Sequence, residues 1–378
     1  MRILVATRIY TPEAGAAAYR LAAMVRALRR AGHDVVVLTT KAPGARQSAA
    51  GIRRWPVLRD RTGAVRGYVQ YASFDLPLIF RLLAGRRFDA VVAEPPPTTG
   101  AAVALAAALR RRPYVYFAAD VSSNAAAGIG VNPLVVALLR AAEKRILAGA
   151  ASVLSISAGV SAAVRELTGG RAKVAEVGTG IDTATFSLQG PAAPAGPVFV
   201  YAGTMSEIQG AGVFVDAFLR IMDRVPQARL LMYGQGVELA ELQRRAAPAG
   251  DRIRFMGVAG GDEIARRLRG AAAGLASVRP ARGYDFAFAT KAFVSLSCGA
   301  PVIYAGVGPL RSLVAENALG HSVDWDAGQV AEAMLAVLAE PVPEPERRRY
   351  SAWVAENFSL DAVGERAAAA VTAAAARS

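Results

Sequence analysis

The sequence predicts an α/β protein of two tandem domains, each a parallel sheet flanked by helices. Short runs rich in Val, Ile, Leu and Tyr alternate with longer alanine-rich stretches of helical period, which is the pattern of buried strands joined by crossover helices. The chain has 378 residues, beyond the roughly 250–300 at which a single core stops growing. At Gln189–Pro197 the pattern lapses into QGPAAPAGP and then starts again, which marks a linker.

In the first domain, expected over residues 1–186, strands are predicted at Arg2–Thr7, Asp34–Thr39, Asp89–Glu94, Tyr114–Ala119, Ser152–Ile156 and Lys173–Val177. Each is a short apolar run that stops where Gly, Pro or a polar residue begins. Helices are expected at Ala16–Arg30, Thr98–Arg111, Pro133–Ala148 and Ala158–Leu167. After the linker, set at 187–197, the second domain (198–360) repeats the grammar. Its strands are expected at Val198–Ala202, Arg229–Tyr233, Arg252–Met256, Gly274–Ser277 and Pro301–Tyr304. Its helices are expected at Ala211–Arg224, Val237–Ala247, Asp262–Gly270 and Lys291–Cys298. The alanine-rich end, 361–378, reads as a final helix packing back toward the N-terminal domain. Two such domains are expected to face one another across a cleft, with ligand loops at the strand ends.

Composition narrows the class. With 53% hydrophobic residues the chain is not disordered, and one cysteine, Cys298, cannot make an internal disulfide or a zinc ribbon. The net charge of +14 is unevenly spread. Residues 1–185 hold 25 Lys or Arg against 11 Asp or Glu, and residues 186–378 hold 19 of each. The basic half predicts an attraction to anionic surfaces or acceptors. No aromatic-plus-basic stripe accompanies it, so nucleic acid is not an expected partner. The apolar runs from Thr98 to Leu109 and from Val131 to Leu139 are too short to span a bilayer, and MRILVATRIY reads as a strand rather than a signal segment. A cytoplasmic location is expected, with a peripheral position at the inner membrane face as its variant.

Several strand-to-helix loops carry candidate chemistry. In TPEAGAAAYR, Gly15 lies in a small-residue loop before a long helix, where backbone N–H groups can receive phosphate. YAGTMSEIQGAG repeats that geometry with Gly203, Thr204 and Gln209, and Gly234 and Gly257 end two further strands. Each glycine has the plain alternative of a turn requiring positive φ. His33 follows Gly32 and reads as a capping or packing residue. Asp324 and Asp326 form an Asp-x-Asp of the surface kind, and no metal site is expected. Neither a Ser-His-Asp nor a Cys-His arrangement assembles.

The segments PEAGAAAYRLAAMVRALRRAGHDVVVLTT, EPPPTTG, YFAAD, EKRILAGAASVLSISAGV, VGTGIDTATF, YAGTMSEIQG, RFMGV, ATKAFVSLSCGAPVI and AENFSL resemble, in this order, glycosyltransferases of family 4. That family has the GT-B fold of two Rossmann-like domains facing a central cleft. The Pro-Glu-x-Gly start and the Gln-Gly loop look closest to the branch that builds bacterial O-antigen and exopolysaccharide units. The resemblance implies a retaining, metal-independent hexosyltransferase with no bound cofactor, using a nucleoside-diphosphate sugar as co-substrate. The donor is expected on the second domain and the acceptor on the first.

By the same resemblance Lys291 contacts the donor diphosphate, beside the loops of Gly15 and Gly203; Thr204 and Gln209 stand where many members have arginine and lysine, so the charge is left to Lys291, the helix start after Gly308, and Arg279 or Arg282. Gly234, Gly257 and Val258 fall in the nucleoside region. The family's pair of glutamates eight positions apart is replaced by Phe286 and Val294, leaving Asp285 as a substitute or as a turn residue. Asp120 matches the acidic position near the reacting centre, where it either deprotonates the acceptor or caps the following SSNAAAG segment. Glu94 is the second candidate base, and Glu143 reads as structural. The acceptor is expected to be a lipid-linked sugar or polysaccharide precursor, or else a small specialised metabolite. Binding of a nucleotide sugar without transfer, or sugar-nucleotide epimerisation, are the alternatives.

Overall fold

The computed structural model describes residues 1–13, 15–41, 50–60, 63, 65, 67–124, 132–194, 196–280 and 288–377. The chain divides into two compact units, one of 1–180 with 360–378 and one of 181–359.

The first unit is built on a seven-stranded parallel sheet: β1 (Arg2–Ala6), β2 (Asp34–Thr40), β3 (Ile52–Trp55), β4 (Ala90–Ala93), β5 (Tyr114–Ala118), β6 (Ser152–Ser155) and β7 (Val174–Glu176), in the order β3-β2-β1-β4-β5-β6-β7. The strand order reverses between β1 and β4, which is where an open α/β sheet leaves a crevice at its carboxyl edge. Both faces of β1, β4 and β5 are buried, so these strands are apolar apart from Arg2 at the start of β1. One face packs on helices Tyr68–Ala84 and Pro97–Arg110 through Phe74, Leu78 and Val103. The other packs on helices Ala16–Arg30 and Leu360–Ala376, where Leu21, Leu28, Val363 and Val371 meet. Arg26 and Arg30 pair with Asp361 and Glu365 along that helix pair.

The second unit has a six-stranded parallel sheet: β8 (Val198–Ala202), β9 (Arg229–Tyr233), β10 (Ile253–Gly257), β11 (Ala273–Val278), β12 (Val302–Gly306) and β13 (Gly320–Val323), in the order β10-β9-β8-β11-β12-β13. Its reversal falls between β8 and β11. Helices Gly212–Ile221 and Ala327–Ala339 cover one face and helices Lys291–Ser297 and Glu344–Phe358 the other. Local signals start several helices: Asn132, Ser157 and Asp326 each accept a backbone N–H of the first turn that follows.

Three features depart from the sequence expectation. The stretch 187–197 lies inside the second unit, and the division between units falls at 180/181. Proline and glycine there mark a packed connection: Ala193 N donates to Arg266 O at 2.9 Å, and Arg269 reaches Ser187 O at 2.8 Å. Helices Tyr68–Ala84, Ala327–Ala339 and Glu344–Phe358 have no counterpart among the expected elements; in the first, Pro77 lies inside the helix and apolar residues cover most of its sides. The short edge strands β3 and β13 are likewise additional, being only half-buried runs of four residues. No helix among the described residues is long and apolar enough to cross a membrane.

Candidate active site

The second unit holds a cavity of about 550 Å³ beyond the carboxyl ends of β8, β9 and β10. Gly203, Thr204, Gln209, Gly234, Val258, Lys291 and Val294 all line it, joined by Phe186, Tyr233, Gln235 and Phe288. Sequence reasoning named the first seven; the aromatic walls it missed, because Phe186 and Phe288 sit in connections without periodicity. Gly257 ends β10 one residue before the lining Val258. Gly308 caps helix Pro309–Glu316 in the same unit but does not line the cavity. Asp285, Phe286 and Arg282 lie outside the described residues. Arg279 is held over the Trp325 ring, 4.7 Å from its centroid, and is not a lining residue.

Lys291 is the electrostatic centre of this cavity. Its Nζ donates to Gln209 Oε1 and to the Tyr201 hydroxyl at 3.3 Å, and it lies 4.8 Å from the Tyr201 ring centroid. Burial brings its pKa down to about 7, and among the described residues no carboxylate lines the cavity. An ammonium placed in a cavity without an acid is completed by an anionic ligand. The backbone makes room for it. A Cβ at Gly203 would come within 2.6 Å of Lys291 Cε. At Gly234 the φ of +126° excludes other residues, and a Cβ would sit 2.0 Å from Gly203 O. The loops after β8 and β9 therefore run against each other, joined by Gly203 N to Tyr233 O at 3.0 Å and Met205 N to Gln235 O at 2.9 Å.

In the first unit, acidic and basic groups gather where the strand order reverses. Glu94 follows β4, half-buried, and accepts from the Thr7 hydroxyl at 3.2 Å. Burial pushes its pKa up to about 7, against the lowering pull of Arg8 and Arg20. Arg8 donates to Val65 O and Pro95 O, each at 3.2 Å. Arg20 is 9% exposed, and its Nε has no hydrogen-bond partner; it lies in the fields of Glu94 and Asp120. Sequence reasoning missed both arginines. The available signal was that Arg20 falls four residues before Met24 and eight before Leu28, on the apolar stripe of its helix.

Asp120 follows β5 and is exposed. The capping alternative fails for it: the amides of Ser122 and Ser123 donate to the buried Glu143 carboxylate at 2.8 and 2.9 Å, while Asp120 takes only the Ser122 hydroxyl at 3.4 Å. Glu143 thus has the structural role. Gly15 caps helix Ala16–Arg30 in this unit, with open space where a Cβ would stand.

Comparison with known proteins follows the same division. Residues 15–180 match the model of the glycosyl transferase 4-like domain, and residues 196–340 that of glycosyl transferases group 1. The Mycobacterium tuberculosis GDP-mannose-dependent alpha-(1-6)-phosphatidylinositol dimannoside mannosyltransferase is 30% identical over 185 residues, 48% of this chain and 44% of that protein. The match spans less than half the length of that relative. Among solved structures, sucrose-phosphate synthase from Thermosynechococcus elongatus superposes with a TM-score of 0.70 at 19% identity, covering 96% of each chain. Anabaena HepE in complex with UDP gives 0.70 at 15% identity, over 99% of this chain and 100% of that one. The chain belongs to glycosyltransferase family 4 and has its GT-B fold of two Rossmann-like domains.

Proposed function

We propose that the protein transfers a hexose-type sugar from a nucleoside diphosphate to an acceptor hydroxyl, with retention of anomeric configuration. The observation that carries this reading is Lys291, a half-buried lysine in a cavity of about 550 Å³ that no carboxylate lines among the described residues. In the proposed step the bond from C1 to the diphosphate oxygen breaks and the acceptor oxygen bonds to C1 on the same face. Lys291 takes up the charge that develops on the departing diphosphate. The acceptor's proton passes to the leaving phosphate or to a carboxylate of the first unit, for which Glu94 and Asp120 are the candidates. The UDP held by HepE and the GDP-mannose dependence of the mycobacterial relative support a nucleoside-diphosphate donor. Gln235 and Thr204 are placed to meet polar groups of the nucleotide, and Phe186 and Phe288 its apolar faces.

For the acceptor we favour a lipid-linked sugar presented at an anionic membrane over a small soluble metabolite. The charge of residues 1–185 supports this, as does the lipid substrate in the relative's name. One observation favours a second reading, binding of a nucleotide sugar without transfer: no acidic side chain lines the cavity among the described residues, and Val294 stands where a carboxylate would hold ribose hydroxyls.

A thermal-shift panel of UDP, GDP, TDP and ADP tests the donor half. A nucleotide at a hundred times its Kd stabilises by about 2.7 kcal/mol. At least one should raise Tm in the native protein and not in Lys291→Met; a flat response to all four removes the donor assignment. Release of free nucleoside diphosphate only when acceptor is added separates transfer from binding alone.

A further inference from the structure

Helices Tyr68–Ala84 and Pro97–Arg110 turn apolar side chains both inward and outward. Phe74, Leu78 and Leu82 of the first, and Val103, Ala106 and Ala107 of the second, are buried against the sheet. On the opposite side Val69, Leu76 and Phe80 form a stripe at helical spacing, Phe80 being 72% exposed, and Leu105 and Leu109 continue it on the neighbouring helix. A groove of about 380 Å³ runs between them, edged by Tyr68, Leu76 and Leu105. A surface helix is ordinarily polar on its outer side; a contiguous apolar face left open marks a contact surface.

The charges around this face select the partner. Of the acids between residues 68 and 112, Asp75 lines the groove but is buried, accepts from Thr99 at 2.7 Å and has its pKa raised by burial, which favours the uncharged form; Asp89 accepts from Arg2 N at 2.7 Å, and Glu94 is half-buried beside Thr7. Arg110 ties the two helix ends together, donating to Leu82 O at 3.2 Å and Gly85 O at 2.5 Å. That link gathers Arg86, Arg87, Arg111 and Arg112 at one end of the apolar face, all exposed and without an ion pair among the described residues. A two-fold dimer about this face would leave the basic cluster at its end without an acidic counterpart, since no exposed acid lies on the face among the described residues. Exposed aliphatic and aromatic side chains with arginines at one edge suit the interface of an anionic bilayer, where the apolar groups enter the acyl boundary and the cations meet the headgroups.

The geometry points to this two-helix face as a membrane-docking surface that seats the first unit on anionic lipid. The inference rests on the lipid-linked acceptor proposed above and names the surface that brings the enzyme to it. Its test is cosedimentation with phosphatidylglycerol–phosphatidylcholine vesicles against pure phosphatidylcholine, without donor or acceptor. The native chain should bind the anionic vesicles, and more weakly as salt is raised. The double variant Leu76→Glu with Phe80→Glu should lower binding by about a hundredfold, and Arg86→Ser with Arg87→Ser by roughly tenfold or more. Both pairs are exposed, so circular dichroism and Tm should match the native protein.

Val237→Glu adds the same charge at a site 86% exposed on the second unit and should leave binding unchanged. Equal losses in Val237→Glu and Phe80→Glu would reduce the effect to net charge and overturn the assigned face. Absence of native binding overturns it too, as does self-association that is lost in Phe80→Glu without vesicle binding, which would give the face to a second copy. Failed vesicle binding with intact transfer to a detergent-dispersed lipid acceptor removes the docking face and leaves the acceptor reading standing. Docking without transfer to any lipid-linked sugar keeps the face and removes the acceptor reading.

Discussion

Each unit carries one ionisable group displaced to about 7 by burial, and the two displacements have opposite sense. Glu94 in the first unit is raised and Lys291 in the second is lowered. Their surroundings differ as well. Glu94 has Arg8 and Arg20 pulling back toward the charged form, so its own surroundings carry both signs of charge. Among the described residues Lys291 meets a glutamine oxygen and a tyrosine hydroxyl, and the proposed anionic donor would complete its charge. That contrast is what the proposed division into a donor subsite on the second unit and an acceptor subsite on the first would require.

Replacing Lys291 by Met is the most severe way to break this asymmetry. Loss of a preorganised charge at a developing anion costs roughly 10²–10³-fold, so kcat/KM should fall by that order and nucleotide-induced stabilisation should disappear. The ligand-free protein should lose no stability, since an uncompensated buried ammonium has gone with the side chain. An unfolded Lys291→Met variant would show that the lysine is structural.

Glu94→Gln and Asp120→Asn divide the acceptor side. The group that takes the proton should cost about 10²–10⁴-fold on removal. If Glu94 is that base, kcat/KM in the native enzyme falls tenfold per pH unit below about 7, and Glu94→Gln abolishes this limb. If Asp120→Asn keeps full turnover with unchanged acceptor binding, Asp120 has no part in the reaction. Lys291 supplies the other limb: it is charged in the free enzyme only below about 7, so donor capture weakens as pH rises past that value. Calorimetry above that pH should record proton uptake on nucleotide binding.

The same two groups bend stability with pH in opposite directions. Glu94 takes up its proton more readily when folded, so its contribution is complete below its ordinary value of 4.5 and is lost as pH rises toward about 7. For Lys291 the unfolded chain holds the proton more tightly, so stability grows with pH from about 7 toward 10.5. Urea titrations across pH should lose the first slope in Glu94→Gln and the second in Lys291→Met. A smaller effect is expected of Glu143→Ala, which leaves the amides of Ser122 and Ser123 without their acceptor. It should cost about 1–3 kcal/mol and reduce turnover by loosening Asp120.

Most of the donor cavity was readable because its residues stand where strands end. Gly203, Gly234 and Val258 each follow an apolar run, and parallel strands deliver those ends to a single edge. Lys291 was readable through the family resemblance of ATKAFVSLSCGAPVI. What escaped depends on partners distant in sequence. Asp120 had a capping alternative until Glu143, more than twenty residues on, supplied the cap. Arg20 acquires meaning only beside Glu94. Helix Tyr68–Ala84 escaped because periodicity needs a polar side, and its outer side is apolar. The unit boundary was misplaced because proline and glycine mark irregular backbone, whether or not it is packed.

The first unit is discontinuous along the chain: the whole of 181–359 is translated before helix Leu360–Ala376 can settle on helix Ala16–Arg30. During synthesis the second unit can therefore complete itself while the first, begun earlier, still exposes Leu21, Leu28 and their neighbours on one face of its sheet. The part that starts first finishes last, and a ribosome stalled near residue 359 would hold a finished donor fold attached to an acceptor fold with one side open.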